Sequence, residues 1–364
     1  MITKTICLVN LNAYCLFNQK SEAPMGGAEL DMYTLAQGLK KKYNVTFITG
    51  DWGQNPEETV HEIRLIRSVN LKGNYLSGLL KFIIALIKAD SEIYISSGAG
   101  PEAGLICLYS RLFGRKYIYR SVSSFDCDNS YIKGHRLLGL IYLFAVNNCN
   151  KFVTTVKNQK KLLSISHPGV IPRVTHINQG LKIFKRKNNK KAGVLWVSRC
   201  VPSKHPELFI DLAKRYKNLK FTMICPKQGG LDSFYEDVKS QAMLVPNLKF
   251  INYVPFKQIQ KFYDRSYIFI NTSDFEGFTY TLIQCGQAGT PVVYYRVNPD
   301  GVITKHDLGY FSNGNYRLMC SQISTLSRKN TLWRNKSEAI SKYFLKFHDI
   351  DSLIPKWTKI FNSL

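Results

Sequence analysis

Residues able to handle an anion concentrate in three stretches of this 364-residue sequence. The richest is Ser273–Val293, S-D-F-E-G-F-T-Y-T-L-I-Q-C-G-Q-A-G-T-P-V-V. The apolar run Tyr267–Ile270 ahead of it reads as a buried strand, and Pro291-Val292-Val293-Tyr294-Tyr295 as the next one. Between them, Glu276-Gly277 marks a loop, Thr279 to about Ala288 a compact helix, and Gly289 its C-cap. A loop with backbone N–H groups on offer thus opens a helix at the C-terminal end of a strand. Open α/β sheets bind ligands at such places, and a helix N-terminus can hold an anion there. The second stretch is Pro24-Met25-Gly26-Gly27-Ala28-Glu29, whose adjacent glycines let backbone approach a ligand closely where a helix begins. The third places Arg199 at the end of a strand and Lys204 five residues later, ahead of a helix.

The elements that must position these residues alternate along the chain. Thr5–Val9 and Val45–Thr49 read as strands flanking a helix from Ala28 to about Lys41, with Met32, Leu35, Ala36 and Leu39 on one face. Strand, glycine loop, helix, strand is a parallel βαβ unit. Val60–Ile66, Ile93–Ser97, Lys116–Arg120 and Phe152–Val156 read as further strands, with helices at Leu76–Ala89, about Glu102–Phe113 and Leu137–Asn147 between them. This half is α/β with a mostly parallel sheet. Lys182–Lys191 is polar, basic and devoid of core residues, which marks a boundary. A second series starts with a strand at Gly193–Arg199, followed by strands at Phe221–Cys225 and Leu248–Ile251. The tail Leu332–Leu364 reads as one or two helices anchored by Trp333, Phe344, Phe347, Trp357 and Phe361. The expected division is a first domain at 1–183, a basic linker at 184–192, a second domain at 193–340, and a C-terminal helix at 341–364 packing back on the first domain.

Composition narrows the partners. Lys and Arg number 50 against 25 Asp and Glu, a formal charge of +25. Such a surface attracts polyanions, of which nucleic acid and anionic lipid headgroups are the candidates. The basic clusters carry no aromatic-rich RNA-binding signature and no zinc-finger spacing, so nucleic acid is not the expected partner. They lie beside the apolar helices Leu76–Ala89 and Leu137–Val146, an arrangement suited to docking at a membrane surface; an ordinary solvated basic face is the alternative. No run of apolar residues is long enough to span a bilayer. The N-terminus reads as a first strand rather than a signal peptide. The nine cysteines are scattered with no C-x-x-C pair, which suits buried thiols in a reducing cytosol. The absence of G-x-G-x-x-G argues against an NAD enzyme.

The glutamate, glycine-phenylalanine and G-x-P-V-V register of Glu276, Gly277, Phe278, Leu282, Gly289, Thr290, Pro291, Val292 and Val293 resembles family-4 retaining glycosyltransferases of the GT-B fold. Arg199 and Lys204 are similar to that family's G-R-x-x-x-x-K-G, with Ser198 and His205 in place of the glycines. Gly26-Gly27-Ala28-Glu29 resembles its diphosphate-cradling turn. The resemblance implies two Rossmann-like domains with parallel sheets facing across a cleft. It implies a hexosyltransferase that moves a sugar from a UDP- or GDP-linked donor to a hydroxyl of a glycan or lipid-linked acceptor, with retention. In that reading Gly26 and Gly27 offer N–H groups to the phosphates. Arg199 and Lys204 stabilise the departing diphosphate, whose growing negative charge fixed cations favour. Glu276 contacts donor-sugar hydroxyls, and the N–H groups of Gly277, Phe278 and Thr279 extend the anion site. Val254 lies in the loop that contacts the base, and Gln284 stands where a second glutamate is expected to hold the ribose. No metal or other cofactor is expected. Surface polysaccharide or lipopolysaccharide biosynthesis at the inner face of the membrane follows by analogy.

The chain departs from that pattern at one more place. Relatives carry a histidine after the strand matching Lys116–Arg120; here the stretch is Tyr119-Arg120-Ser121-Val122-Ser123-Ser124-Phe125-Asp126. Arg120 could hold an anionic acceptor or be structural. Two D-x-D matches, Asp126-Cys127-Asp128 and Asp349-Ile350-Asp351, would suit a metal-dependent transferase, but the motif order disagrees and chance explains so short a pattern. A GT-B-like protein that binds nucleotide sugar or a polyanion without transfer, and a transferase acting on nucleic acid, are the competing readings.

Overall fold

The computed structural model describes all residues except 1–3, 19, 22, 24–25 and 185–189. The chain divides into two compact units, Met1–Lys182 with Asp349–Leu364, and Ile183–His348. The second unit therefore runs past residue 340: the expected break at 340/341 falls inside one continuous helix, Asn330–His348. The expected basic linker lies in part outside the described residues.

The first unit is built on eight strands: β1 (Thr5–Val9), β2 (Asn44–Thr49), β3 (Glu57–Val60), β4 (Ile63–Arg67), β5 (Ile93–Ser97), β6 (Lys116–Arg120), β7 (Lys151–Thr154) and β8 (Val174–His176). Their order is β3-β4-β2-β1-β5-β6-β7-β8. All pairs are parallel except β3–β4. Successive strand residues serve opposite faces, as the two-residue period requires. Ile6 and Leu8 join the core under the helices Gly27–Leu39 and Ile350–Asn362. Cys7 and Val9 join the core under Tyr75–Ala89, Pro101–Leu112 and Arg136–Asn148. The single strand expected at Val60–Ile66 is instead the antiparallel hairpin β3–β4. His61 and Glu62 turn the chain with φ of 51° and 63°, a two-residue turn with both φ positive.

The second unit has six parallel strands: β9 (Val194–Val197), β10 (Phe221–Ile224), β11 (Leu248–Ile251), β12 (Ile268–Asn271), β13 (Val292–Tyr294) and β14 (Gly309–Phe311). Their order is β11-β10-β9-β12-β13-β14. The chain builds outward from β9 through β10 to β11, then returns to lay β12 on the other side of β9. The β9/β12 boundary is thus where the winding reverses, and the crevice beyond the carboxyl ends of such a strand pair is the place for a ligand. In the first unit the same reversal falls between β1 and β5.

After β12 the helix Tyr280–Ala288 begins at Thr279, whose side chain accepts from the Leu282 N–H at 3.3 Å, and ends at Gly289 with φ 63°. Its Gly286 lies against the ring of Phe344 so closely that an added Cβ would sit 2.1 Å from Cδ2. The helix Asn330–His348 can approach only because that side chain is missing.

Candidate functional site

The loops leaving β9 and β12 meet at the reversal point. From β9 the chain passes Ser198 and Arg199, makes the short turn Pro202–Lys204, and enters the helix Pro206–Arg215 with proline in its first turn. The buried indole of Trp196 donates to Thr272 Oγ1 at 2.9 Å, and that hydroxyl donates to the Lys204 carbonyl at 2.5 Å. The Asp274 N–H donates to the Ser203 carbonyl at 3.0 Å. The backbone of Lys204 is thereby fixed from both strands.

Its side chain closes the join. Lys204 Nζ lies 2.5 Å from Glu276 Oε1, and Ser273 Oγ donates to the same oxygen at 2.9 Å. The two side chains are 10% and 19% exposed, so each shields the other's charge in a poorly hydrated place. Removing one partner of such a pair strands the other.

Beside it stands a second ionic cluster. Asp274 receives Arg296 Nη1 at 2.5 Å and His205 Nε2 at 2.7 Å, while His205 Nδ1 lies 2.7 Å from Glu207 Oε1. Both imidazole nitrogens face carboxylates. A neutral ring has one N–H, so only the imidazolium satisfies both. Burial alone would lower the His205 pKa, but the bonds to Glu207 and Asp274 outweigh it and raise the value. Burial likewise opposes ionisation of Asp274, yet Arg296 and His205 hold its carboxyl below the ordinary aspartate range.

The structure brings Lys204 and Glu276 into contact. Arg199 is exposed at the mouth of the same loop, where Nη1 donates to Gln228 Oε1 at 3.2 Å. Gly277 follows Glu276 in the loop. The Phe278 ring is buried, stacked on His348 at 4.4 Å between centroids and packed against Phe344, so the side chain anchors the loop and leaves only its backbone to a ligand. Thr279 spends its hydroxyl on the helix cap. Gln284 is buried in that helix, and its main-chain carbonyl accepts from Gln260 Nε2 at 3.2 Å. Val254 is buried ahead of the helix Phe256–Arg265. Sequence reasoning gave no role to Ser273, Asp274, His205 or Arg296. The first three adjoin motif residues, which was the available signal.

In the first unit Gly26 is the N-cap and Gly27 the first residue of the helix Gly27–Leu39. Pro24 and Met25 lie outside the described residues. A Cβ on Gly26 would sit 2.8 Å from Glu29 Oε2, so a first-turn carboxylate lies against this N-terminus, where the helix dipole favours it. Arg120 is structural. It is buried in a two-pronged bond to Asp31, donates to the carbonyls of Ile177 and Asn178 at 3.3 and 3.2 Å, and lies over the Trp357 ring. The D-x-D carboxylates have structural partners too. Asp126 accepts the N–H groups of Val122, Ser123 and Ala99, and its burial raises its pKa to about 6. Asp351 pairs with Lys41 and Lys182. All nine cysteines are free thiols.

Residues 180–317, which hold both ionic clusters, match the family described as Glycosyl transferases group 1. That segment is a group 1 glycosyltransferase domain, and the fold of the chain is GT-B. The transferase superposes on HepE of Anabaena, solved in complex with UDP and glucose, with a TM-score of 0.77 at 14% identity over 99% of this chain and 100% of that one. Sucrose-phosphate synthase from Thermosynechococcus elongatus gives 0.76 at 13% identity over 99% and 98%. A glycosyltransferase from Rickettsia africae gives 0.71 at 15% identity over 100% and 99%. No curated protein matches the transferase in sequence.

Proposed function

We propose that the transferase moves a hexosyl group from a UDP-linked donor to a hydroxyl of a glycan or lipid-linked acceptor, with retention, as a step in making a surface polysaccharide. The observation that carries this is the Lys204–Glu276 contact at the winding reversal of the group 1 domain. UDP is preferred over GDP because the superposable HepE structure contains UDP. On donor binding, Lys204 and Arg199 turn to the diphosphate, and Glu276, released from Lys204, accepts hydrogen bonds from sugar hydroxyls. Gly277, Phe278 and Thr279 present backbone N–H groups to the same anion. Gly26 and Gly27 are assigned backbone contacts to phosphate. Gln284 and Val254 are assigned to the ribose and base.

Asp274, the other carboxylate beside the pair, is held by His205 and Arg296 and is poorly placed to act as base. The acceptor proton therefore passes to a departing phosphate oxygen while the acceptor oxygen bonds C1 and the C1–O bond to phosphate breaks. Attack and departure on one face of the sugar retain its configuration. The enzyme works at the inner face of the membrane, and its cations neutralise the leaving group without a metal cofactor.

The test is nucleotide release from a panel of UDP- and GDP-sugars. Release from a UDP-sugar is expected, with Lys204→Ala lowering kcat by about 10²–10³-fold, the usual loss for one transition-state charge contact. Glu276→Ala serves as control. Binding without release, or release indifferent to both substitutions, would refute the assignment.

A further inference from the structure

The helix Tyr75–Ala89 is apolar on both sides. Its inner stripe, Phe82, Ala85, Leu86 and Ala89, is buried in the core. Its outer stripe, Leu76, Leu80, Ile84 and Ile87, repeats at the same three-to-four-residue spacing and is 50–75% exposed. The neighbouring helices on that sheet face continue the pattern, with Leu112 at 71% and Leu140 at 59%. Those two helices lie backbone to backbone, since a Cβ on Gly104 would sit 2.2 Å from the Ile141 carbonyl oxygen. Most of the exposed large apolar side chains among the described residues belong to these helices and their flanks. Isolated exposed leucines need no explanation, but a contiguous apolar face marks an interaction site.

Charge selects the partner. Lys81 and Lys88 are two turns apart and flank the outer stripe on one side. Arg111 and Arg136 are exposed on the adjacent helices. Neither Tyr75–Ala89 nor Arg136–Asn148 contains an acidic residue. A second copy of this face would bring like charges together, which opposes self-association. A bilayer satisfies both features, because leucine and isoleucine enter the acyl boundary while lysine and arginine stems reach back to anionic headgroups. Among the described residues no helix is long and apolar enough to cross a membrane, so the contact is with the surface.

We propose that the outer face of Tyr75–Ala89, Pro101–Leu112 and Arg136–Asn148 docks on a bilayer containing anionic phospholipid. This rests on the membrane placement proposed above and gives it a surface. The test is flotation of the full chain with phosphatidylcholine vesicles, with and without phosphatidylglycerol, over a salt series. Binding is expected only with phosphatidylglycerol and falls as salt rises. Leu80→Glu/Ile84→Glu abolishes it. Lys81→Ala/Lys88→Ala weakens it about 25-fold, at about fivefold per cation near the surface. Nucleotide release without lipid, assayed in parallel, stays at the wild-type level in both, so failure here leaves the sugar-transfer reading standing. Should the first variant melt early, Leu76→Glu/Ile87→Glu replaces it. Absence of binding at low salt overturns the proposal. So does undiminished binding by the Leu→Glu variants, or a dimer that those variants dissociate.

Discussion

His205 shows how one residue can replace a glycine. Its φ of 46° lies in the left-handed region, which costs a side-chain-bearing residue about 1–2 kcal/mol. A glycine would adopt it freely, which accounts for the glycine expected after the lysine in G-R-x-x-x-x-K-G. Here two charge-assisted bonds, to Glu207 and Asp274, offset the strain and tie the Lys204 loop to the Glu276 loop. Because the folded pKa is raised, the stabilisation is fully present below the ordinary imidazole value of about 6.5 and is lost as pH climbs through the folded value. The melting-temperature gap between wild type and His205→Gln should therefore be widest in mild acid and narrow in alkali; a gap that ignores pH would refute the imidazolium. Arg120 makes a different demand. Arg120→Ala removes the guanidinium from the buried Asp31 carboxylate and should destabilise the protein by about 3–5 kcal/mol in denaturant unfolding. Its sequence position alone allowed either a ligand contact or a structural bond, because Asp31, Ile177 and Trp357 are distant in the chain.

Elements with local punctuation were legible. The helix Tyr280–Ala288 is framed by a capping threonine and a left-handed glycine, both visible in the sequence. The hairpin at His61-Glu62 was not, because a turn with two positive φ values is ordinarily announced by asparagine or glycine and here carries neither. The contact of Lys204 with Glu276 was legible only as two motifs, since it depends on β12 returning beside β9. The role of the Phe278 ring was hidden for the same reason: its partners, Phe344 and His348, come from the last helix of the unit. Gly286 likewise gave no sign that it makes room for Phe344. Gly286→Ala should overpack that contact and cost about 1–3 kcal/mol, with part of the loss recovered in the double variant carrying Phe344→Leu; equal melting of Gly286→Ala and wild type would show that the helices can part without cost.

At the scale of the whole molecule, the first unit is discontinuous. The strand series could be anticipated from alternating elements, and the return of the last helix to the first unit from the family resemblance, whereas the position of the seam at His348/Asp349 could not, since helix follows helix there with no linker composition. Leu353, Trp357, Ile360 and Phe361 complete the core around Ile6, Leu8 and Met32, each contributing about 1.5–3 kcal/mol by burial. A chain ending at His348 should expose residues 1–182 to limited proteolysis well before 183–348; simultaneous digestion would argue against this division. Translation adds a constraint of timing. Residues 1–182 leave the ribosome first, yet the piece that seals them is synthesised after everything else described here, so the earlier-made half must wait, open on one flank, until the later half has emerged.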